Sequence, residues 1–171
     1  MRLTQYLNEN ASVHKIYFDM DGVLTDFKAA FVKVDGRTTQ EVEKEGDENF
    51  WKHVDKGGLE FWAKMPWIKG SRNLWNYAKS TKIPLALLTA PARRLPNSPK
   101  GKLIWVAREL GPVDVTMVRA KYKQDYASPN TILIDDLLPN IKRWIAKGGI
   151  GIHFKSPQQA MKELKRIIDG K

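Results

Sequence analysis

Ile16-Tyr17-Phe18-Asp19-Met20-Asp21-Gly22-Val23-Leu24-Thr25-Asp26 is the stretch whose reading decides the fold. Its apolar start has the character of a short buried strand, and it breaks abruptly into two carboxylates, Asp19 and Asp21, one residue apart. In a parallel α/β sheet, ligands collect beyond the carboxyl ends of the strands, so acids at that position face a site rather than a core. Gly22 lets the backbone turn close around whatever the acids hold. Acids also end strands simply because they favour turns, so the stretch gains meaning only if matching parts follow downstream.

Matching parts do follow. Pro84 to Leu88 is a continuous apolar run, as expected of a buried parallel strand, and it ends in Thr89-Ala90-Pro91. Val113 to Val118 reads as a third strand, Thr131 to Ile134 as a fourth that runs straight into Asp135-Asp136, and 150–154 as a fifth. Helical spacing predicts helices over 71–79, over 99–110 with Leu103, Val106, Ala107 and Leu110 as its apolar face, over 121–127 and over 137–147. A last one runs from Ser156 through Leu164 and Ile168. Residues 1–13 read as a lead-in helix or arm. Strands and helices alternating at this rhythm imply right-handed crossovers and an α/β fold, a parallel sheet with helices on both faces.

Between the first two strands the text changes. Phe27, Phe31 and Val34 share one helical face, and 36–65 offers short helical segments without strand-like alternation. The expected organisation is a core of residues 1–26 and 66–171 with a small helical insertion at 27–65, whose boundary extends to about 80 at most.

The chain of 171 residues is 42% hydrophobic, enough for one proper core and little more. No apolar run approaches the ~20 residues that span a bilayer, and the N-terminus lacks the pattern of a secretory signal. Zero cysteines exclude a disulfide framework and thiolate metal sites, and suit a reducing cytoplasm. The net charge of +10 favours an anionic partner, either a phosphorylated metabolite or a nucleic-acid backbone.

Four polar groups then fall on one sheet edge, each just after an apolar strand: Asp19 with Asp21, Thr89, the Arg119–Lys123 turn, and Asp135 with Asp136. Carboxylates from two strand ends, with no His or Cys among them, form a hard oxygen site suited to Mg²⁺, completed by substrate phosphate oxygens. Phosphoryl transfer is mostly placement and charge stabilisation, so a metal, a hydroxyl and an ammonium opposite an in-line nucleophile are the parts needed. Asp19 can act as that nucleophile, while Asp21 can protonate the leaving oxygen and later take a proton from water.

Asp19-Met20-Asp21-Gly22-Val23-Leu24, Thr89, Lys121 and Leu133-Ile134-Asp135-Asp136 resemble the four motifs of the haloacid dehalogenase (HAD) superfamily. The resemblance implies a Rossmann-like core, Mg²⁺ held by Asp19, Asp21 (through its backbone carbonyl) and Asp135, an Asp nucleophile, and a small C1-type cap in the helical insertion. Asp136 is expected to support this set from behind, orienting water or a lysine. Lys121 rather than Lys123 is the expected phosphate-binding lysine, because it follows its strand at the family's distance. The segments Asp26–Phe31, Gly58–Trp62, Leu88–Arg93, Lys102–Trp105 and Arg119–Lys121 further resemble the 5'(3')-deoxyribonucleotidase family. That likeness implies a base pocket of Phe27, Phe61 and Trp62, and basic groups Arg93, Lys102, Arg119 and Lys121 around the phosphate and nucleoside. Ala90 stands where that family usually carries Ser, and Arg93 where it carries Lys.

The expected activity is therefore dephosphorylation of (deoxy)ribonucleoside monophosphates through an aspartyl-phosphate. A polynucleotide end (3') phosphatase, motivated by the charge, and a non-catalytic nucleotide-binding scaffold are the alternatives. The expected partner is a small-molecule nucleoside monophosphate, with nucleic acid open but not favoured, no membrane, and a homodimer left open. Trp51, Trp67, Trp75, Trp105 and Trp144 read as packing, the three histidines as non-catalytic, and Arg94 as solvated surface.

Overall fold

A computed structural model describes residues 12–92 and 94–170. Five strands, β1 (Lys15–Phe18), β2 (Leu85–Thr89), β3 (Asp114–Met117), β4 (Thr131–Asp135) and β5 (Ile150–His153), form a sheet of order β3-β2-β1-β4-β5. Every pairing in it is parallel. The chain leaves β1 toward β2 and β3, then returns to the other side of β1 for β4 and β5. The reversal beside β1 opens a crevice at the carboxyl ends, where α/β folds bind ligands. Register fixes what meets there: Phe18 lies opposite Leu87 and Ile134, and the Asp19 N–H donates to the Ile134 carbonyl (2.9 Å). Asp19, Thr89 and Asp135 therefore emerge side by side.

Eight helices accompany the sheet among the described residues, with one 3₁₀ turn, Ala120–Tyr126. Four short ones fill the insertion: α1 (Phe27–Asp35), α2 (Thr39–Glu43), α3 (Asp47–Lys56) and α4 (Gly58–Ala63). The core helices are α5 (Ser71–Ser80), α6 (Asn97–Glu109), α7 (Leu138–Ala146) and α8 (Pro157–Ile168). One sheet face packs Ile16, Phe18, Ile134 and Ile152 against Leu74 and Trp75 of α5 and Leu164 of α8. The other packs Tyr17, Leu88 and Leu133 against Ile141 and Trp144 of α7. Each fully buried side chain of this size contributes about 1.5–3 kcal/mol. No helix among the described residues is long and apolar enough to cross a membrane. The expected lead-in element at 1–13 falls almost wholly outside the described residues.

The insertion is fastened at its two ends. Asp26 N–H donates to Pro66 O and Ile68 N–H to Leu24 O, both at 2.8 Å, so the outgoing and returning strands of chain lie side by side. Asp26 caps α1 by accepting the Ala29 N–H (2.9 Å), and Thr38 and Glu41 form a reciprocal capping box on α2. Inside, Phe31 stacks on Phe50 and Phe27 meets Phe61 edge-on, each pair with ring centres 5.2 Å apart.

Helix α6 corrects one expectation. Val106 and Leu110 are buried as the spacing predicts, but Leu103 is half-exposed and Ala107 exposed. The buried face runs through Ser98, Gly101, Lys102 and Trp105 instead. Gly101 is the reason: a Cβ there would lie 2.4 Å from the Trp62 Cβ and 2.9 Å from the Leu59 carbonyl, so its bare backbone lets α4 approach. A seam made of a glycine and a lysine leaves no trace in hydrophobic periodicity.

Candidate active site

At the tip of β1, Asp19 Oδ1 accepts both the Met20 N–H and Lys123 Nζ, each at 2.8 Å. Its Oδ2 has no hydrogen-bond partner among the described residues. Lys123 also reaches Asp135 Oδ2 at 2.7 Å, with its side chain only 2% exposed. Asp135 is completely buried and is held further by the Leu137 N–H (2.8 Å) and by Asn140 Nδ2. Carboxylate oxygens of Asp19, Asp135 and Asp136 lie within 4.8 Å of one another, an oxygen-only donor set that fits a hard cation.

The electrostatics reflect that crowding. Burial pushes the Asp19 carboxyl up to about 7; Lys123 opposes this, and the neighbouring Asp135 adds to it. Burial also raises Asp136, to about 6, with repulsion from Asp135 second. Burial alone would lower the Lys123 ammonium, but Asp19 and Asp135 together hold it above its usual value. One lysine thus faces three acids, and a cation would relieve the remaining excess.

A second charged pair sits beside the first. Lys102, buried on α6, contacts Asp21 Oδ2 (2.7 Å), and donates to Thr89 Oγ1 (3.1 Å) and the Ala90 carbonyl (2.6 Å). The Thr25 hydroxyl fixes Asp21 Oδ1 from the other side at 2.9 Å. Both acids open onto a cleft of about 1290 Å³ between the sheet edge and the insertion, walled by Phe27, Phe50, Trp51 and Trp62.

Several expected positions are redistributed. Lys123, not Lys121, meets the acids; Lys121 is exposed and lies over the Tyr122 ring. Within the 3₁₀ turn Lys123 falls on the buried side, while Lys121, two residues earlier and so about two thirds of a turn away, faces out. Asp136 brings its own carboxylate into the acid cluster rather than standing behind it, while the Asp21 carboxylate pairs with Lys102. Phe27, Trp62 and Ala90 line the cleft; Phe61 is buried behind them. Arg119 and Lys121 line a separate shallow depression with Ala90 and Pro91. Arg93 lies outside the described residues. Asn140 was not foreseen, although the first turn of a helix after a strand is bound to face the strand's end. Trp51 and Arg94, read as packing and surface, both line the cleft.

Among solved structures, a haloacid dehalogenase-like family hydrolase from Xanthomonas campestris superposes with a TM-score of 0.60 at 14% identity, over 94% of this chain and 98% of that one. A HAD-superfamily hydrolase from Ehrlichia chaffeensis gives 0.58 at 12% identity, over 92% and 98%. A HAD family hydrolase from Deinococcus radiodurans, solved with bound phosphate and sodium, gives 0.55 at 12%, over 94% and 96%. No protein-family model matches the sequence, and no curated protein matches it significantly. The fold is an α/β fold with a parallel, Rossmann-like sheet flanked by helices. More particularly, it is the fold of these HAD-superfamily hydrolases.

Proposed function

We propose that this protein is a HAD-type phosphomonoester hydrolase acting on (deoxy)ribonucleoside monophosphates. The observation that carries the reading is the state of Asp19: one oxygen is pinned by Met20 and Lys123, and the other is unpartnered beside a cluster of acids. Asp19, Asp135 and Asp136, with the Asp21 backbone carbonyl, would hold Mg²⁺, which when bound offsets phosphate charge and orients the phosphoryl group.

The chain's own residues supply the rest. Asp19 Oδ2 attacks phosphorus, the bond to the ester oxygen breaks, and Asp21 gives that oxygen a proton. Water then attacks phosphorus, Asp21 takes its proton, and the bond from phosphorus to Oδ2 breaks, restoring both acids. Lys102 and Thr25 hold the Asp21 carboxyl over the cleft, and a phosphate seated at Thr89 competes for Lys102, leaving Asp21 free to exchange protons with the leaving oxygen and with water. Lys123 holds Asp19 in line and balances its charge. The insertion acts as a cap, and its aromatic wall suits a nucleobase, since stacking on such rings contributes about 1–3 kcal/mol per base. Absence of cysteine fits a cytoplasmic location.

A phosphate-release screen over ribo- and deoxyribonucleoside monophosphates, with and without Mg²⁺, tests the reading. Mg²⁺-dependent release from at least one deoxyribonucleotide is expected. Nucleotide binding without any release would favour a non-catalytic scaffold.

A further inference from the structure

We infer that the outer face of the 3₁₀ turn and α7 binds single-stranded nucleic acid and carries a strand whose terminal phosphate lies in the cleft; only the second part rests on the phosphomonoesterase reading. The two elements pack side by side on one face of the sheet, where the Tyr17 ring lies 6.3 Å from Tyr126 and 5.5 Å from Trp144. Their outward surfaces are therefore continuous.

That surface is basic and aromatic together. Arg119, Lys121, Lys142, Arg143 and Lys147 are exposed on it, against a single exposed acid, Asp125. Tyr122 is 44% exposed and Tyr126 38%. Lys121 Nζ lies 4.7 Å from the Tyr122 ring centre, so a phosphate-seeking charge and a stacking plane occupy one place. Positive charge that follows a backbone, interleaved with aromatic planes for bases, is the composition of single-strand binding surfaces.

The surface also leads into the site. Arg119 and Lys121 line a depression with Ala90 and Pro91, and those two residues line the catalytic cleft as well. The insertion side of the cleft is different: Glu43, Asp47, Glu48 and Asp55 stand there beside Lys28 and Lys52. A polyanion entering the cleft is thus repelled over the insertion and attracted over the 3₁₀ turn and α7. The charge difference between the two rims sets the path of the strand.

The test uses the whole chain and a short oligothymidylate with a terminal phosphate, labelled at its other end and followed by fluorescence anisotropy across a salt series. Wild type should bind with an affinity that falls steeply with salt. Lys142→Ala/Lys147→Ala should flatten the log–log salt slope by about 1.4, at ~0.7 per single-strand phosphate contact. Tyr122→Ala should weaken binding roughly 5- to 150-fold. Both variants should retain wild-type turnover of dTMP, which also certifies their folding. No oligonucleotide binding, an unchanged salt slope in the double variant, or binding to phosphatidylserine vesicles in place of the oligonucleotide would overturn the inference. Turnover of dTMP without oligonucleotide binding would remove this inference and leave the phosphatase reading intact. Salt-sensitive binding that the variants weaken, with no phosphate release from any substrate, would support the face and remove the phosphatase reading.

Discussion

Replacing Lys123 with Met probes how the acid cluster is held. The ammonium lies 2.8 Å from Asp19 and 2.7 Å from Asp135, on a side chain that is 2% exposed. Methionine fills similar space but leaves two buried carboxylates facing each other with no counter-charge. Removing one partner of a buried ion pair costs about 3–5 kcal/mol. In a chain of this size each kcal/mol moves the thermal midpoint by about 2–4 °C, so a fall of roughly 6–20 °C is expected in metal-free buffer. The deficit should shrink as pH falls below about 7, where protonation of Asp19 removes one of the two facing charges. Adding Asp19→Asn should restore part of the loss, because one buried charge then disappears. Lys121→Met, at an exposed position, should stay within about 0.5 kcal/mol. Urea and thermal melts of the four proteins decide the matter. Equal losses for the two lysine variants, or less than about 1 kcal/mol for Lys123→Met, would refute the reasoning.

Other perturbations test other parts of the site. Gly22 has φ +81°, and a Cβ there would sit 2.3 Å from Asp136 Oδ2, so Gly22→Ala should cost roughly 1–2 kcal/mol in backbone strain and displace that carboxylate. A 10–100-fold weaker Mg²⁺ dependence, measured by metal titration of turnover, is the order expected. Asp136 has its folded-state carboxyl raised from 3.8 to about 6, so the stability it contributes is present below pH 3.8 and is lost as pH rises to about 6. Asp136→Asn should flatten the metal-free stability profile across that window, read by urea melts at successive pH values. Gly101→Ala would press a methyl into Trp62 and the α4 backbone; overpacking of this kind costs about 1–3 kcal/mol, and a raised KM for nucleotide should accompany the lowered melting point.

Much of the fold was legible because parallel strands buried on both faces are written as continuous apolar runs. Ile16–Phe18, Leu85–Leu88 and Ile132–Ile134 announce themselves, and the polar residue that follows each one is carried to the sheet's edge by register. Asp19, Thr89 and Asp135 are therefore legible together in the sequence. Choosing between Lys121 and Lys123 depended on the phase of a 3₁₀ turn, which a count of residues from a strand does not supply. The cleft wall was harder still. Trp51 reads as packing in a short helix, and only the tertiary seating of α3 turns it toward the cleft. The inward face of α6 rests on Gly101 and Lys102, where a missing side chain and a charged one do the work that apolar periodicity normally signals.

The central claim is that the unpartnered oxygen of Asp19 takes the phosphoryl group. Acid-quenching the protein during turnover of phosphate-radiolabelled dTMP, followed by peptide mapping, tests it directly. Label should appear on the peptide containing Asp19 and should be absent, along with turnover, from an Asp19→Asn variant that melts as a folded protein. Turnover that survives Asp19→Asn, or label on another residue, would contradict the account.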